Sequence, residues 1–293
     1  MNRIIIVIAI LLGAIGGVPS PVMAQAVIGN GNLNLRPDKT LTVDTAQYKV
    51  IYEVNYLPDT LYRDKIKNGR TLLLTGKHSA LYIDYYKALK DSVRAETLAK
   101  GGTYVEALNK VFAIQGEKFN EVIVLDYPTK GSSLVQEYIG GGAKRYIDNG
   151  AKQNWAITDD TENIAGYECH KATCNFRGRD YTAWYTEEIP IPRGPFLFTG
   201  LPGLIVKLTS SEGDYDFTLI GFQKVSNPFP MDITDNKNIE KISREDFRFL
   251  KTYYKENPVA GLANGPIKVK PEKLKEVEKR LDRPRSYNPI EKE

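Results

Sequence analysis

The sequence predicts a mainly β (α+β) fold: a curved antiparallel sheet or half-barrel with a helical insertion and C-terminal helices. Two observations carry this. Short runs rich in β-branched and aromatic residues recur between turn signals along most of the chain. The spacing of apolar residues lengthens to three to five only between about 87 and 116 and again after 238.

The first 24 residues read as a cleavable signal peptide. Arg3 precedes an uncharged apolar stretch, Ile4 to Val18, and Val22 and Ala24 stand three and one before the expected cut at Ala24-Gln25. The stretch is glycine-broken and shorter than the roughly 20 apolar residues of a spanning helix. No second long apolar run follows, so a periplasmic or secreted mature chain without a transmembrane segment is expected.

Residues 25–264 read as one β-rich domain. Asp44 to Tyr56 alternates as a first strand, with Tyr48, Val50, Tyr52 and Val54 on one face. Arg70 to Tyr86 supplies strand pieces around Gly76. One or two helices are predicted between Lys87 and Gly116, separated by Gly101-Gly102. The β pattern returns with Val122 to Tyr127, Ser133 to Ile139 and Lys144 to Ile147, the last two joined by Gly140-Gly141-Gly142, a turn that tolerates positive φ. Trp155 to Thr158, Ile164 to Phe176 and Tyr181 to Glu188 follow, and consecutive strands are expected to be neighbours.

Three prolines among Ile189 to Pro195 remove three backbone donors, so this stretch is expected to cross the sheet as a loop. Leu201-Pro202-Gly203-Leu204 has the residue order of a type II turn. It leads into a hairpin, Leu204 to Leu208 and Asp214 to Lys224. Asn238 to Glu256 has helical spacing. Residues 265–293 read as a charged C-terminal helix, over Pro271 to Leu281, and a frayed tail.

The full chain carries 40 basic and 36 acidic residues, a net charge of +4. The basic residues are interleaved with acids, which gives no footprint for nucleic acid. Neither a dinucleotide fingerprint nor a P-loop occurs.

Several stretches together resemble one known family. They are Leu72-Leu73-Leu74 with Gly76-Lys77-His78-Ser79, Ile164-Ala165-Gly166-Tyr167 with Cys169, Arg177-Gly178-Arg179 leading to Trp184-Tyr185, and above all Gly200-Leu201-Pro202-Gly203-Leu204-Ile205. The chain is similar over about Val50 to Pro258 to the GLPGLI family, exported proteins of Gram-negative bacteria named for that hexapeptide, whose biochemical function is not established. The resemblance implies location and fold and assigns no catalytic residue. The meander also resembles the half-barrel of periplasmic lipoprotein carriers, which implies an apolar cleft.

Three groups of residues carry candidate chemistry. Arg177, Arg179, Trp184 and Tyr185 form an aromatic and basic stretch suited to an anionic or lipidic partner, or to packing of arginines over rings. Gly200, Leu201, Pro202, Gly203 and Leu204 either fill the core or present an apolar turn at a cleft mouth. Cys169, His170 and Cys174 offer zinc or copper ligands. A straight strand would hold the two cysteines about 16 Å apart, so a shared metal or disulfide requires the segment to fold back.

The only histidines are His78 and His170, and nothing around either builds a nucleophilic triad. The function read from this is a non-catalytic binding or carrier protein, without a cofactor, for an apolar ligand or an envelope protein partner. A metal-binding or redox module and a hydrolase are the alternatives.

Overall fold

A computed structural model describes residues 39–150, 152–260, 275, 279 and 283–293. The expected signal peptide and the expected helix over Pro271 to Leu281 lie outside that set, apart from Lys275 and Lys279.

The first part of the sheet is a meander. Strands β1 (Thr40–Tyr56), β2 (Lys67–Thr75) and β3 (Ala80–Asp84) lead into helices α1 (Tyr85–Ala99) and α2 (Tyr104–Ala113). Strands β4 (Val122–Leu125), β5 (Ser133–Ile139) and β6 (Gly142–Asp148) complete it. Each strand from β1 to β6 pairs antiparallel with its sequence neighbour. Between β5 and β6, Gly140 and Gly141 take φ of 59° and 90°, the backbone expected of the triple glycine.

A second meander follows, with β7 (Ala156–Ile164), β8 (Tyr167–Phe176), β9 (Arg179–Thr186), β10 (Leu204–Ser210) and β11 (Tyr215–Thr234). Two short turns with positive φ, Ala165-Gly166 and Arg177-Gly178, set its hairpins. Ile164 therefore ends β7 and does not begin β8, because the Ala165-Gly166 turn divides the run read from sequence as one strand.

Strand β12 (Glu240–Lys241) pairs parallel with β6, and helix α3 (Arg244–Glu256) comes after it. The predicted helix over Asn238 to Glu256 thus starts later than its periodicity suggests. Ser243 caps it, its hydroxyl accepting from the Asp246 amide.

The sheet order is β12-β6-β5-β4-β3-β2-β1-β11-β10-β9-β8-β7. The sheet is open, and a single antiparallel seam between β1 and β11 joins the two meanders. One part of the sequence reading is corrected here. Residues 121–224 do not form an unbroken run of neighbours, because β6 and β7 lie toward opposite ends of the sheet, linked by residues 149–155.

Two clusters cover the two faces. The smaller sets Leu72, Leu74, Leu81 and Val124 against Tyr85 and Ala88 of α1. The larger contains alternate residues of β1, namely Val50, Tyr52 and Val54, together with Tyr146 of β6 and Phe176 of β8. One cluster collecting side chains from both wings of the sheet requires the sheet to bend around it. Asp148, at the end of β6, accordingly meets Arg177 of the β8–β9 turn at 2.7 Å.

Most of this inner face is filled by the chain itself. The proline-rich stretch forms the predicted loop, and it drives Phe198 into the interior against Phe176, Tyr181 and Trp155, with ring centroids 5.0, 4.7 and 6.2 Å away. Burying such a ring is worth about 2–3 kcal/mol. The hexapeptide leaves the loop with Leu201 and Leu204 buried, and the Ile205 carbonyl accepts from the Tyr52 hydroxyl at 2.8 Å.

Gly203 is not in the left-handed conformation a type II turn demands, and only Gly200 in this stretch has positive φ, 93°. Gly203 is required for space, since a Cβ there would sit 1.9 Å from the Thr186 carbonyl oxygen.

The last residues are not a frayed tail. Residues 283–293 run back across the inner face and are held by side chains from the sheet. Asn288 is buried, its amide donating to the Leu57 carbonyl and to Asp214, and its backbone carbonyl accepting from Tyr215 at 2.6 Å. Tyr181 donates to the Ile290 carbonyl, also at 2.6 Å. Lys292 and Glu293 donate backbone N–H bonds to the Arg177 carbonyl.

Candidate ligand-binding site

The sequence-derived candidates are mostly consumed by this closure. Arg179 is fully buried. Its guanidinium donates to Asn288 and the Pro289 carbonyl at 2.7 and 2.9 Å and reaches Glu212 and Asp214 at 3.2 and 3.3 Å. These partners offset the cost of taking the charge out of water. Arg177 is held between Asp148 and Glu291. Both arginines also lie over rings, Phe176 for Arg177 and Tyr215 for Arg179. Trp184 is partly exposed beneath the Lys171 ammonium, and Tyr185 is buried beside His170.

Cys169 and Cys174 are free thiols, both buried on β8. Burial pushes them up to about 11 and about 12, which keeps both protonated at neutral pH. The strand runs in continuous register with β9 from His170 to Phe176 and does not fold back to unite the two cysteines. Among the described residues, no group of three or more His, Cys, Asp or Glu side chains is placed to hold a metal ion.

The space that remains lies at one end of the inner face. A cavity of about 420 Å³ opens where the end of β1, the start of β2, residues 117–121, α3 and the C-terminal segment converge. Its volume falls within the range of small-molecule sites. Tyr56, Tyr82, Phe119, Phe196 and Phe217 form its aromatic wall. None of Arg177, Arg179, Trp184, Tyr185 or Gly200 to Leu204 lines it.

One buried carboxylate assembles this end. Asp84 caps α1, its Oδ1 accepting from the amides of Tyr86 and Lys87 at 2.8 and 3.1 Å. Its Oδ2 accepts from the amides of Lys118 and Phe119 at 2.9 and 3.1 Å. The same side chain thereby fixes a helix start and the stretch that delivers Phe119 to the cavity. Phe119 lies close over Gly69 of β2, where a Cβ would stand 2.9 Å from the ring.

A second cluster anchors α3. The Lys251 ammonium sits between Glu121 and Glu137, pairing closely with the first and at 2.9 Å with the second. Burial opposes the charge on Lys251, but the two carboxylates outweigh it and hold the amine well above its ordinary range. Burial pushes Glu137 up, whereas Lys251 and Lys255 overcome burial at Glu121 and bring it down. Two carboxylates sharing one ammonium tie β4 and β5 to α3.

The cavity's polar lining is unequal in sign. Its acids are already used: Glu117 pairs with Lys90 at 2.8 Å, Glu121 with Lys251, and Asp59 accepts from the amides of Leu61 and Ser286. Lys67, Lys118, Lys255 and Arg285 also line it, and none has an ion-pair partner within 4.0 Å among the described residues. Partial burial, followed by the like charges of Lys118, Lys255, Arg283 and Arg285, lowers Lys67 from its ordinary value.

Sequence reading missed these cations because they are scattered from position 67 to 285 with no shared motif. Only the alternation of Tyr52, Val54 and Tyr56 hints at the inner face they border.

Fold and site define the class: an open β-sheet protein, antiparallel but for β12, whose bent inner face keeps a ligand-sized cavity. A family model described as "Protein of unknown function (Porph_ging)" matches residues 177–207, the stretch from the β8–β9 turn through the hexapeptide. Among solved structures, PNGF-II in a C2 and in a P21 crystal form is similar, with a TM-score of 0.47 and 16% identity in each case. Each alignment covers 72% of this chain and about a third of the other, 33% and 34%. The chain thus spans about a third of the length of the solved chains it matches. No curated protein matches it.

Proposed function

We propose that the protein is exported and acts as a non-catalytic binding protein, holding a small ligand in the cavity between the sheet, α3 and the C-terminal segment. The observation that carries this is the 420 Å³ cavity itself, an aromatic-walled space left open on a face otherwise filled by the chain's own loop. Concave sites that combine aromatic walls with placed polar groups are where small molecules bind. Export is supported by the signal-peptide pattern before Gln25 and by the likeness to the GLPGLI family, whose hexapeptide lies within the matched stretch at 177–207. An apolar groove along the whole half-barrel does not fit, because Phe198 and the C-terminal segment occupy that space.

Native mass spectrometry of the protein recovered from its own cell envelope tests both parts. The expected result is an intact mass beginning at Gln25 with a small non-covalent adduct that leaves on unfolding. A chain that retains residues 1–24 overturns export, and a bare protein at every preparation overturns binding.

A further inference from the structure

Resting on the reading of the cavity as a binding site, we propose that its ligand is a soluble single-chain amphipathic anion, with an apolar tail against the aromatic wall and a carboxylate or phosphate head among Lys67, Lys118, Lys255 and Arg285.

The charge argument is one of imbalance. The whole chain carries only +4, yet this end gathers four cations from β2, the 117–121 stretch, α3 and the C-terminal segment, facing one another across about 420 Å³. Among the described residues, every carboxylate lining the same space is already bound to a cation or to backbone amides. The Nε of Arg285 is buried without a hydrogen-bond partner among the described residues, and Arg283 is turned onto the Tyr62 ring, 4.7 Å away. Like charges drawn together at a partly dry wall repel one another, and an anion placed among them relieves that repulsion.

The apolar part follows from the wall. Phe119, Phe196 and Phe217 offer no hydrogen bonds, and the Asn288 amide is spent on Leu57, Asp214 and Arg179. A sugar or other polyhydroxyl ligand would set hydroxyls against these three rings, which cannot pair with them, and that is costly. An inorganic anion would leave the aromatic wall wet. At roughly 30 Å³ per non-hydrogen atom, the cavity holds about 14 such atoms, the size of a medium-chain amphiphile.

Isothermal titration calorimetry with decanoate, octyl phosphate, decanol and inorganic phosphate separates these features. Decanoate and octyl phosphate are expected to bind at least about tenfold more tightly than decanol, the least that one charge-assisted contact supplies. Added salt should narrow that difference, and inorganic phosphate alone should bind weakly. Lys67→Gln combined with Lys255→Gln should bring the anions toward decanol, with melting temperature confirming that the variant folds.

Equal binding of decanol and decanoate leaves the binding-protein reading standing and overturns the anion proposal. No binding of any tailed compound removes both. Cosedimentation with phosphatidylglycerol vesicles at the same affinity would place the anion on a bilayer and overturn a soluble ligand.

Discussion

Gly203 shows how one absent methyl group sets a local path. The chain entering β10 passes so close to the end of β9 that a Cβ would overlap the Thr186 carbonyl, and backbone atoms cannot move aside as a side chain tip can. Leu201, Leu204 and Ile205 are all buried on either side, so any shift disturbs the core as well. Gly203→Ala is expected to cost about 3 kcal/mol or more, at the upper end for overpacking. Urea denaturation measures it, and a loss below about 1 kcal/mol would show that the close approach relaxes easily. The hexapeptide was legible in the sequence as a structural unit. Its physical reason was not, because pattern alone cannot separate a glycine kept for its φ from one kept for its size.

At the scale of elements, the C-terminal segment behaves as a strap fastened at several points. Glu212 lies at one of them, pairing with Lys292 and with Arg179. Burial works against its charge, but the hydrogen bond from Lys292 and the charge of Arg179 bring it down to about 2, from an ordinary value of 4.5. Between those two values the unfolded chain binds more protons than the folded one, so stability is present above pH 4.5 and is lost as pH falls toward 2. Glu212→Gln is expected to flatten the fall in melting temperature across that window, with Asp44 and Glu121 among the other carboxylates held low that keep part of the slope. An unchanged slope would show that the carboxylate does not help to fasten the strap. Glu137 acts in the opposite sense and at higher pH, since its raised value favours the folded state only while it stays protonated.

Most elements were readable from periodicity and turn signals, including the helices on either side of Gly101-Gly102 and the β8–β9 and β10–β11 hairpins, whereas the β7–β8 turn was not. The strap was not, because it has no period of its own. Asn288 and Pro289 read as tail residues, and their partners on β9 and β11 bury the first and hold the second.

For the whole molecule, the organising feature is the seam between β1 and β11. Each meander is built from neighbours in sequence, whereas the seam pairs residues such as Thr40 with Thr234 and Tyr56 with Tyr215. Its length was invisible beforehand because β11 continues past Pro228 and Pro230, residues that argue against a strand. Pro228 falls within the irregularity between Ala46 and Tyr48, whereas Pro230 stands opposite Thr45 in register. The cavity was equally hidden, since its cations meet only once both meanders and the strap are in place. The seam, rather than the link through residues 149–155, is expected to hold the two meanders together. A specific protease site inserted after Gly150 should therefore yield, once cut, two pieces that still elute together and melt within several degrees of the intact protein. Separation of the pieces on gel filtration would assign the hold to the connection instead.

The anchoring of Asn288 beside Arg179 also governs the order in which this molecule can mature. A ribosome releases the sheet's strands long before residues 283–293, so a nascent chain holds the Arg179 guanidinium without two of its four partners, and Asp214 without one of its donors. Residues 283–293 act as a latch made after the strands, and a polypeptide stopped before Asn288 would have strands β1 to β12 without the contacts that Asn288, Pro289 and Ile290 supply.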